Sequence, residues 1–196
     1  MQKVIGVTGS IGCGKSTVCK LIQNLGYNVI DCDKVGHDIL LPDHEGYIEV
    51  IKAFGDDILA EDGIDRKKLG KIVFDNPKKR ELLNRITHPL IKKEVKNIIS
   101  EIDDKLIFME CPLLFETDFI DLCDYSIVVY SDMDNQIKRL MERDGINFPQ
   151  ALNRIYAQMS IVEKMERADF IIDNCHGFSE LEWQTTHIIK KIEGMN

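Results

Sequence analysis

The residues with the clearest chemistry are Gly9-Ser10-Ile11-Gly12-Cys13-Gly14-Lys15-Ser16, followed by Thr17. Their spacing satisfies G-x-x-x-x-G-K-[ST], the pattern of a loop that wraps backbone N–H groups around a polyphosphate. The glycines let the chain turn inward without Cβ collisions, and the helix that follows directs its positive end at the anion. Lys15 then reaches the β- and γ-phosphates, the Ser16 hydroxyl joins the coordination of a magnesium ion, and Thr17 adds a second hydroxyl. Gly12, Cys13, Gly14, Lys15, Ser16 and Thr17 are the expected ATP-binding residues. Cys13, beside a helix N-terminus and Lys15, is expected to have a lowered thiol pKa and some oxidative sensitivity.

A phosphate loop does not by itself separate a kinase from a GTPase switch or a motor. Asp33-Lys34-Val35-Gly36 and Asp43-His44-Glu45-Gly46 fit the short D-x-x-G pattern of GTPases, but the N-K-x-D guanine motif is missing from the sequence. A small-molecule kinase is favoured by three further features. Asp33, at the end of the next strand, can orient an acceptor hydroxyl and take its proton. An inserted helical region can hold that acceptor. Arg139, with Arg143 and Arg154 in late helices, can close over the phosphates and exclude water, the competing acceptor. Each has a plainer alternative: Asp33 as a helix N-cap, Arg143 on a solvated helix face. Two rival functions stay open on these residues. One is a nucleoside or nucleoside monophosphate kinase; the other is a nucleotide-gated binding protein whose hydrolysis times a partner interaction.

The positioning elements follow from apolar periodicity. Val4–Thr8 reads as a buried strand, and Val18, Leu21, Ile22 and Leu25 form a helical stripe ended by Gly26. A short strand over 27–30 delivers Asp31-Cys32-Asp33 at its carboxyl end, the edge where ligands sit in open α/β sheets. From Asp33 to Asp104 the sequence is almost wholly helical. It reads as helices over 43–54 and 64–74, a third starting at Asn76-Pro77 and a fourth opening at Thr87-His88-Pro89. Strands at 106–110, 125–130 and 169–173 follow. A helix over 134–144 has Ile137, Leu140 and Met141 facing the core, the stretch 145–164 is polar helical sequence expected to be mobile, and a terminal helix covers 179–193. The expected architecture is a three-layer α/β fold with a doubly wound, parallel five-stranded sheet, an inserted helical substrate domain and a helical lid. Its core is 1–33, 105–137 and 168–196, the insertion about 34–104 and the lid about 138–167.

Bulk composition narrows the class. With 196 residues and 44% hydrophobic content the chain can bury one good core. It has no apolar run of about 18 residues and no signal-peptide pattern, so a soluble, cytoplasmic protein without a membrane partner is expected. Six cysteines without C-x-x-C spacing read as reduced thiols. The net charge of −8 argues against nucleic acid, but Arg66–Lys96 holds eleven Lys/Arg against three acidic residues, a local +8 that leaves −16 elsewhere. Such a basic helical region suits an anionic small substrate.

Further motifs run through the whole chain: Gly6-Val7-Thr8 leading into the phosphate loop, Ile30-Asp31-Cys32-Asp33, Asp65-Arg66 with Val73-Phe74, and His88-Pro89-Leu90-Ile91. Then come Pro112-Leu113-Leu114-Phe115-Glu116, Arg139-Leu140-Met141 with Arg143-Asp144, and Ile172-Asp173-Asn174. In this combination and order the chain resembles the dephospho-CoA kinases over essentially its full length. The resemblance implies transfer of the γ-phosphate of ATP to the 3′-hydroxyl of the ribose of dephospho-CoA, with Mg2+, as the last step of coenzyme A synthesis. It further implies that Asp33 is the catalytic aspartate, Lys15 and Ser16 the phosphate and magnesium residues, Arg139 the lid arginine, and Thr8 and His88 neighbours of the acceptor. Leu113 and Phe115 are expected along the pantetheine tail, Glu110 at the metal through water, and the state to be monomer or weak homo-oligomer. Three positions depart from the family pattern: Cys13 replaces serine, Glu110 replaces aspartate, and His37 replaces arginine. If the family arginine holds substrate phosphate, His37 is expected to strengthen binding below about pH 6.5.

Overall fold

The computed structural model describes residues 2–195. The first elements are β1 (Lys3–Gly9), α1 (Lys15–Asn24), β2 (Asn28–Asp31), α2 (Cys32–Asp38) and α3 (Glu45–Phe54). They are followed by β3 (Leu59–Ala60), β4 (Gly63–Ile64), α4 (Arg66–Phe74), α5 (Pro77–Glu101) and β5 (Leu106–Glu110). The chain closes with β6 (Tyr125–Tyr130), α6 (Met133–Asp144), α7 (Phe148–Tyr156), α8 (Ile161–Arg167), β7 (Phe170–Asp173) and α9 (Phe178–Glu193). It divides into two compact units, Met1–Ile30 with Ile102–Asn196, and Asp31–Glu101.

The first unit is built on a parallel sheet in the order β2-β5-β1-β6-β7. β5 and β6 are runs of apolar residues buried on both faces, as interior parallel strands must be. α1 contributes Val18 and Ile22, and α9 contributes Leu181 and Ile189, to a core shared with Ile5, Val7, Phe108, Ile127 and Val129. Register matters for the chemistry: Val7 of β1 pairs with Glu110 at the end of β5, and Gly9 pairs with Val129 of β6. Glu110 is thereby brought to the sheet edge from which the phosphate loop leaves.

In the second unit α5 packs against α2, α3 and α4. Val50, Ile58 and Leu69 are its buried apolar centre. Two expectations need correction here. Thr87-His88-Pro89 does not open a new helix, because α5 runs unbroken from Pro77 to Glu101 with Pro89 inside it. A proline there removes one backbone donor and crowds the carbonyl one turn back. Thr87 Oγ1 donates to Leu83 O at 2.9 Å, a bond of the kind that bends helices, and burial of Thr87 and Val95 holds the helix together through the irregularity. The segment from Ile64 is not all helix either. Leu59 and Ile64 pair across a short antiparallel hairpin, and α4 begins only after Asp65, whose carboxylate accepts from Lys67 N and Lys68 N.

Within the first unit, α6 buries Ile137 and Leu140 against Ala151 of α7, whereas Met141 remains 37% exposed instead of facing the core. Residues 145–164 are largely helical, as expected, in α7 and the start of α8. α7 carries a reciprocal cap between Asn147 and Gln150, and Lys164 of α8 is fully buried within this polar stretch.

Candidate active site

The phosphate loop connects β1 to α1. Its glycines are required by space as well as by turn geometry. Gly14 has φ +91°, and a Cβ there would collide with Asn174 Nδ2; a Cβ on Gly12, at φ +80°, would lie 2.8 Å from Gln136 O. Gly14 is also the N-cap of α1 and supplies no side-chain cap, so no cap side chain stands at the helix end that favours an anion.

Lys15 and Ser16 converge on Glu110. Lys15 Nζ lies 2.6 Å and Ser16 Oγ 2.9 Å from Glu110 Oε1. Burial pushes the Glu110 carboxyl up, but the Lys15 charge and the hydrogen bonds from Lys15, Ser16 and Cys19 outweigh it, leaving the pKa below the ordinary 4.5. Burial likewise pushes Lys15 down, and Glu110 more than restores it, to above the ordinary 10.5. The pair is therefore ionised across the neutral range. A hydroxyl and a carboxylate oxygen this close make a hard donor pair. Mg2+ is held in such sites by one or two protein oxygens, with substrate phosphates and water completing the shell.

Cys13 departs from expectation. Its side chain is 1% exposed, and burial pushes the thiol up, an effect that its hydrogen bond to Lys15 and the charges of Lys15, Lys164 and Arg139 only reduce. Desolvation of a thiolate outweighs the helix end and the nearby cations, so the expected lowering is not found.

Arg139 is half-buried against the phosphate loop. Its Nη1 donates to Gly12 O, Cys13 O and Ser131 Oγ, each at 3.3 Å, and its Nη2 donates to Asn174 O at 3.1 Å. Arg143 and Arg154 instead meet on Asp144, with Arg143 Nε at 2.7 Å and Arg154 Nη1 at 2.5 Å from its carboxylate. The three arginines thus fall into two groups. Thr8 is fully buried and donates through Oγ1 to Pro112 O at 3.1 Å. In the turn that follows β5, Leu113 is 38% exposed, Leu114 buried and Phe115 half-buried.

Asp33 and His88 belong to the second unit. Asp33 is the second residue of α2, and the cap of that helix is Asp31, whose carboxylate accepts from Asp33 N and Lys34 N. Capping therefore does not account for Asp33. His88 is half-buried in α5, one residue before Pro89. Exposed His37 lies with Nε2 2.5 Å from Arg66 Nη2.

The family model for dephospho-CoA kinase matches residues 3–180. The chain belongs to the dephospho-CoA kinase family. A dephospho-CoA kinase of Carboxydothermus hydrogenoformans is 46% identical over 192 residues, covering 96% of this chain and 93% of its own. Among solved structures, a Thermus thermophilus protein superposes with a TM-score of 0.87 at 29% identity, covering 100% of this chain and 99% of its own. The dephospho-CoA kinase from Campylobacter jejuni gives 0.74 at 34% identity, covering 98% of both chains.

The structure supplies local context at Cys13, Glu110 and His37. Cys13 sits buried, Glu110 reaches both loop residues, and Arg66 brings a guanidinium to His37. Three contact residues escaped the sequence reading as single residues. Asn174 donates from Nδ2 to Cys13 O at 2.8 Å, Gln158 Oε1 accepts from Ile11 N at 2.8 Å, and Lys164 Nζ reaches Pro112 O at 2.9 Å. For Asn174 the Ile172-Asp173-Asn174 motif was the available signal.

Proposed function

We propose that this chain transfers the γ-phosphate of ATP to the 3′-hydroxyl of the ribose of dephospho-CoA, giving coenzyme A and ADP, the final step of coenzyme A biosynthesis. The observation that carries the reading is an intact phosphate loop, with Lys15 and Ser16 meeting on Glu110, in a chain that matches the family from residue 3 to residue 180. Phosphoryl transfer passes through a loose transition state, so the protein's work is to position the acceptor and neutralise equatorial charge. Lys15 exchanges Glu110 for the β- and γ-phosphates. Ser16 would hold Mg2+ directly and Glu110 through water, and the ion would supply positive charge to offset that of the phosphates. Arg139 orders the loop carbonyls behind the nucleotide, and Arg143 and Arg154 form the mobile part of the lid. Asp33 orients the acceptor hydroxyl and takes its proton, His88 contacts the acceptor, and Leu113 and Phe115 take the pantetheine tail. We place the protein in the cytoplasm, a reading supported by its six free thiols, as a monomer or weak homo-oligomer.

The test is a coupled ADP-release assay with ATP and Mg2+, with and without dephospho-CoA, followed by analysis of the product for a new 3′-phosphate. Strong stimulation with coenzyme A formed is the expected result. Turnover with a free nucleoside or a monophosphate, and indifference to dephospho-CoA, would instead indicate a nucleoside kinase of this fold. Slow hydrolysis without stimulation would indicate a nucleotide-gated binding protein.

A further inference from the structure

Lys164 is fully buried, and its Nζ donates to Pro112 O at 2.9 Å and pairs with Glu116 Oε1 at 2.8 Å. The Glu116 side chain is 19% exposed and also accepts from Met159 N at 3.2 Å. Burying an ion pair is a poor way to gain stability, because desolvation offsets most of the attraction and an apolar pair of similar volume does as well. What such a pair does supply is geometry. Pro112 O is pinned from two directions, by Lys164 of α8 and by Thr8 Oγ1 at the end of β1. Pro112 has no N–H, and its carbonyl leads directly into Leu113, so these two bonds fix how the turn leaves β5. Leu114 anchors the turn in the core, while Leu113 and Phe115 stay at least partly open. One residue before Met159, Gln158 Oε1 accepts from Ile11 N of the phosphate loop at 2.8 Å. Residues 158–164 are thus tied at one end to the phosphate loop and at the other to the 112–116 turn.

We propose that Lys164 is a positioning residue for the acceptor, acting through Pro112 and Glu116 on the turn that carries Leu113 and Phe115. The proposal rests on the kinase reading above. In-line transfer is sensitive to placement, since an error of about 1 Å between reacting groups costs about 10²-fold in rate. Loosening this turn therefore weakens transfer to dephospho-CoA while leaving ATP binding, which depends on the phosphate loop, nearly unchanged.

The experiment compares wild type, Lys164→Met, Glu116→Gln and the double variant Lys164→Met/Glu116→Met. For each, kcat, separate KM values for ATP and dephospho-CoA, and the thermal midpoint are measured. Lys164→Met is expected to lower the midpoint, because it leaves the Glu116 carboxylate without its cation, and to lower kcat/KM for dephospho-CoA by about 10- to 100-fold. Its KM for ATP is expected to stay within about threefold of wild type. Glu116→Gln retains acceptors for Lys164 and Met159 and keeps most of the activity. The double variant decides the matter. It removes both charges, so the midpoint recovers, yet Pro112 O keeps only its Thr8 bond, Met159 N loses its acceptor, and the acceptor-side loss persists. Recovery of both midpoint and kcat/KM would overturn the proposal and make the pair a structural contact only. An equal loss in KM for ATP would also overturn it, as general damage to the loop. A wild type that forms no coenzyme A would refute the kinase reading itself, an outcome distinct from an active wild type beside a fully active double variant.

Discussion

Replacing Glu110 with glutamine keeps the shape at the end of β5 and removes one charge. In the wild-type chain this carboxylate holds Lys15 at 2.6 Å and Ser16 at 2.9 Å, and the Lys15 and Glu110 side chains are each only 12% exposed. Charges about 4 Å apart attract by about 4 kcal/mol at an effective dielectric constant of about 20, before desolvation is subtracted. Breaking a fully buried pair costs about 3–5 kcal/mol. Here some solvent reaches both groups and the amide oxygen still accepts from Ser16, so a loss of about 2 kcal/mol is expected. For a chain of this length that is roughly 4–8 °C in melting temperature. The pH dependence has a definite sign. Glu110, with its folded pKa lowered, contributes above its ordinary 4.5 and loses that contribution as the pH falls through the lower folded value. Lys15, with its folded pKa raised, contributes below 10.5 and loses it only as the pH rises through the higher folded value. The stability gap between wild type and variant should be flat from about pH 5 to about pH 10 and close on further acidification. Ligand binding separates the two roles of the carboxylate. Freed from its counter-charge, Lys15 should bind metal-free ATP about tenfold more tightly, or about 1.4 kcal/mol. Mg2+-dependent turnover should fall about 10- to 100-fold, the usual consequence of losing outer-shell support of a metal. Calorimetric titration of ATP in EDTA, thermal scans against pH, and ADP release against Mg2+ measure these quantities. Weaker metal-free ATP binding with an unchanged Mg2+ dependence would refute the reasoning.

Three further outcomes are expected. Asp33→Asn should lose roughly 10² to 10⁴ in turnover with little change in ATP affinity, read by steady-state kinetics; activity within a few-fold of wild type would remove its catalytic role. Arg139→Lys should raise KM for ATP about tenfold, because an ammonium cannot span Gly12 O, Cys13 O, Ser131 Oγ and Asn174 O as the guanidinium does. An unchanged KM would show that those bonds do not order the loop for nucleotide. With its thiol buried and its pKa raised, Cys13 should be inert to a thiol-disulfide reagent in the native protein. Native wild type and Cys13→Ser should therefore release equal amounts of the coloured thiolate, and one extra equivalent from wild type would contradict this.

What could be read from the sequence was local. The five sheet strands, the loop between β1 and α1, and Pro77 at the start of α5 all follow from patterns a few residues long, and the structure has each of them. Where two local patterns competed, packing decided. Thr87-His88-Pro89 has the form of a helix start, yet α5 continues through it because its flanks are held against three other helices. Asp33 was read as a possible cap for α2, and the structure gives that place to Asp31, two residues earlier. Lys164 was illegible for a different reason. Glu163-Lys164-Met165-Glu166-Arg167 reads as a solvated helix, and only contacts to Pro112 and Glu116, distant in sequence, take its ammonium out of water. Arg139 and Arg143, one helical turn apart, were both read toward the phosphates, but Asn174 and the phosphate loop claim the first and Asp144 the second.

That division of cations bears on how the proposed reaction begins. Lys15 is held by Glu110, Arg143 and Arg154 by Asp144, and Arg139 by backbone carbonyls of the loop. An incoming polyphosphate therefore exchanges partners with Lys15 instead of meeting an uncompensated charge. Exchange keeps Lys15, only 12% exposed, paired in both states, which avoids the destabilisation of a buried, unpaired charge in the free protein. It also lowers the net gain on binding ATP, since each new phosphate contact replaces an old one. Catalysis benefits from that economy, because contacts that strengthen equally in ground state and transition state raise affinity without raising turnover. On this argument Asp144→Asn, which loosens Arg143 and Arg154 without touching Lys15, should tighten ATP binding severalfold and leave kcat unchanged or lower. A rise in kcat would mean that releasing these arginines from Asp144 limits the reaction.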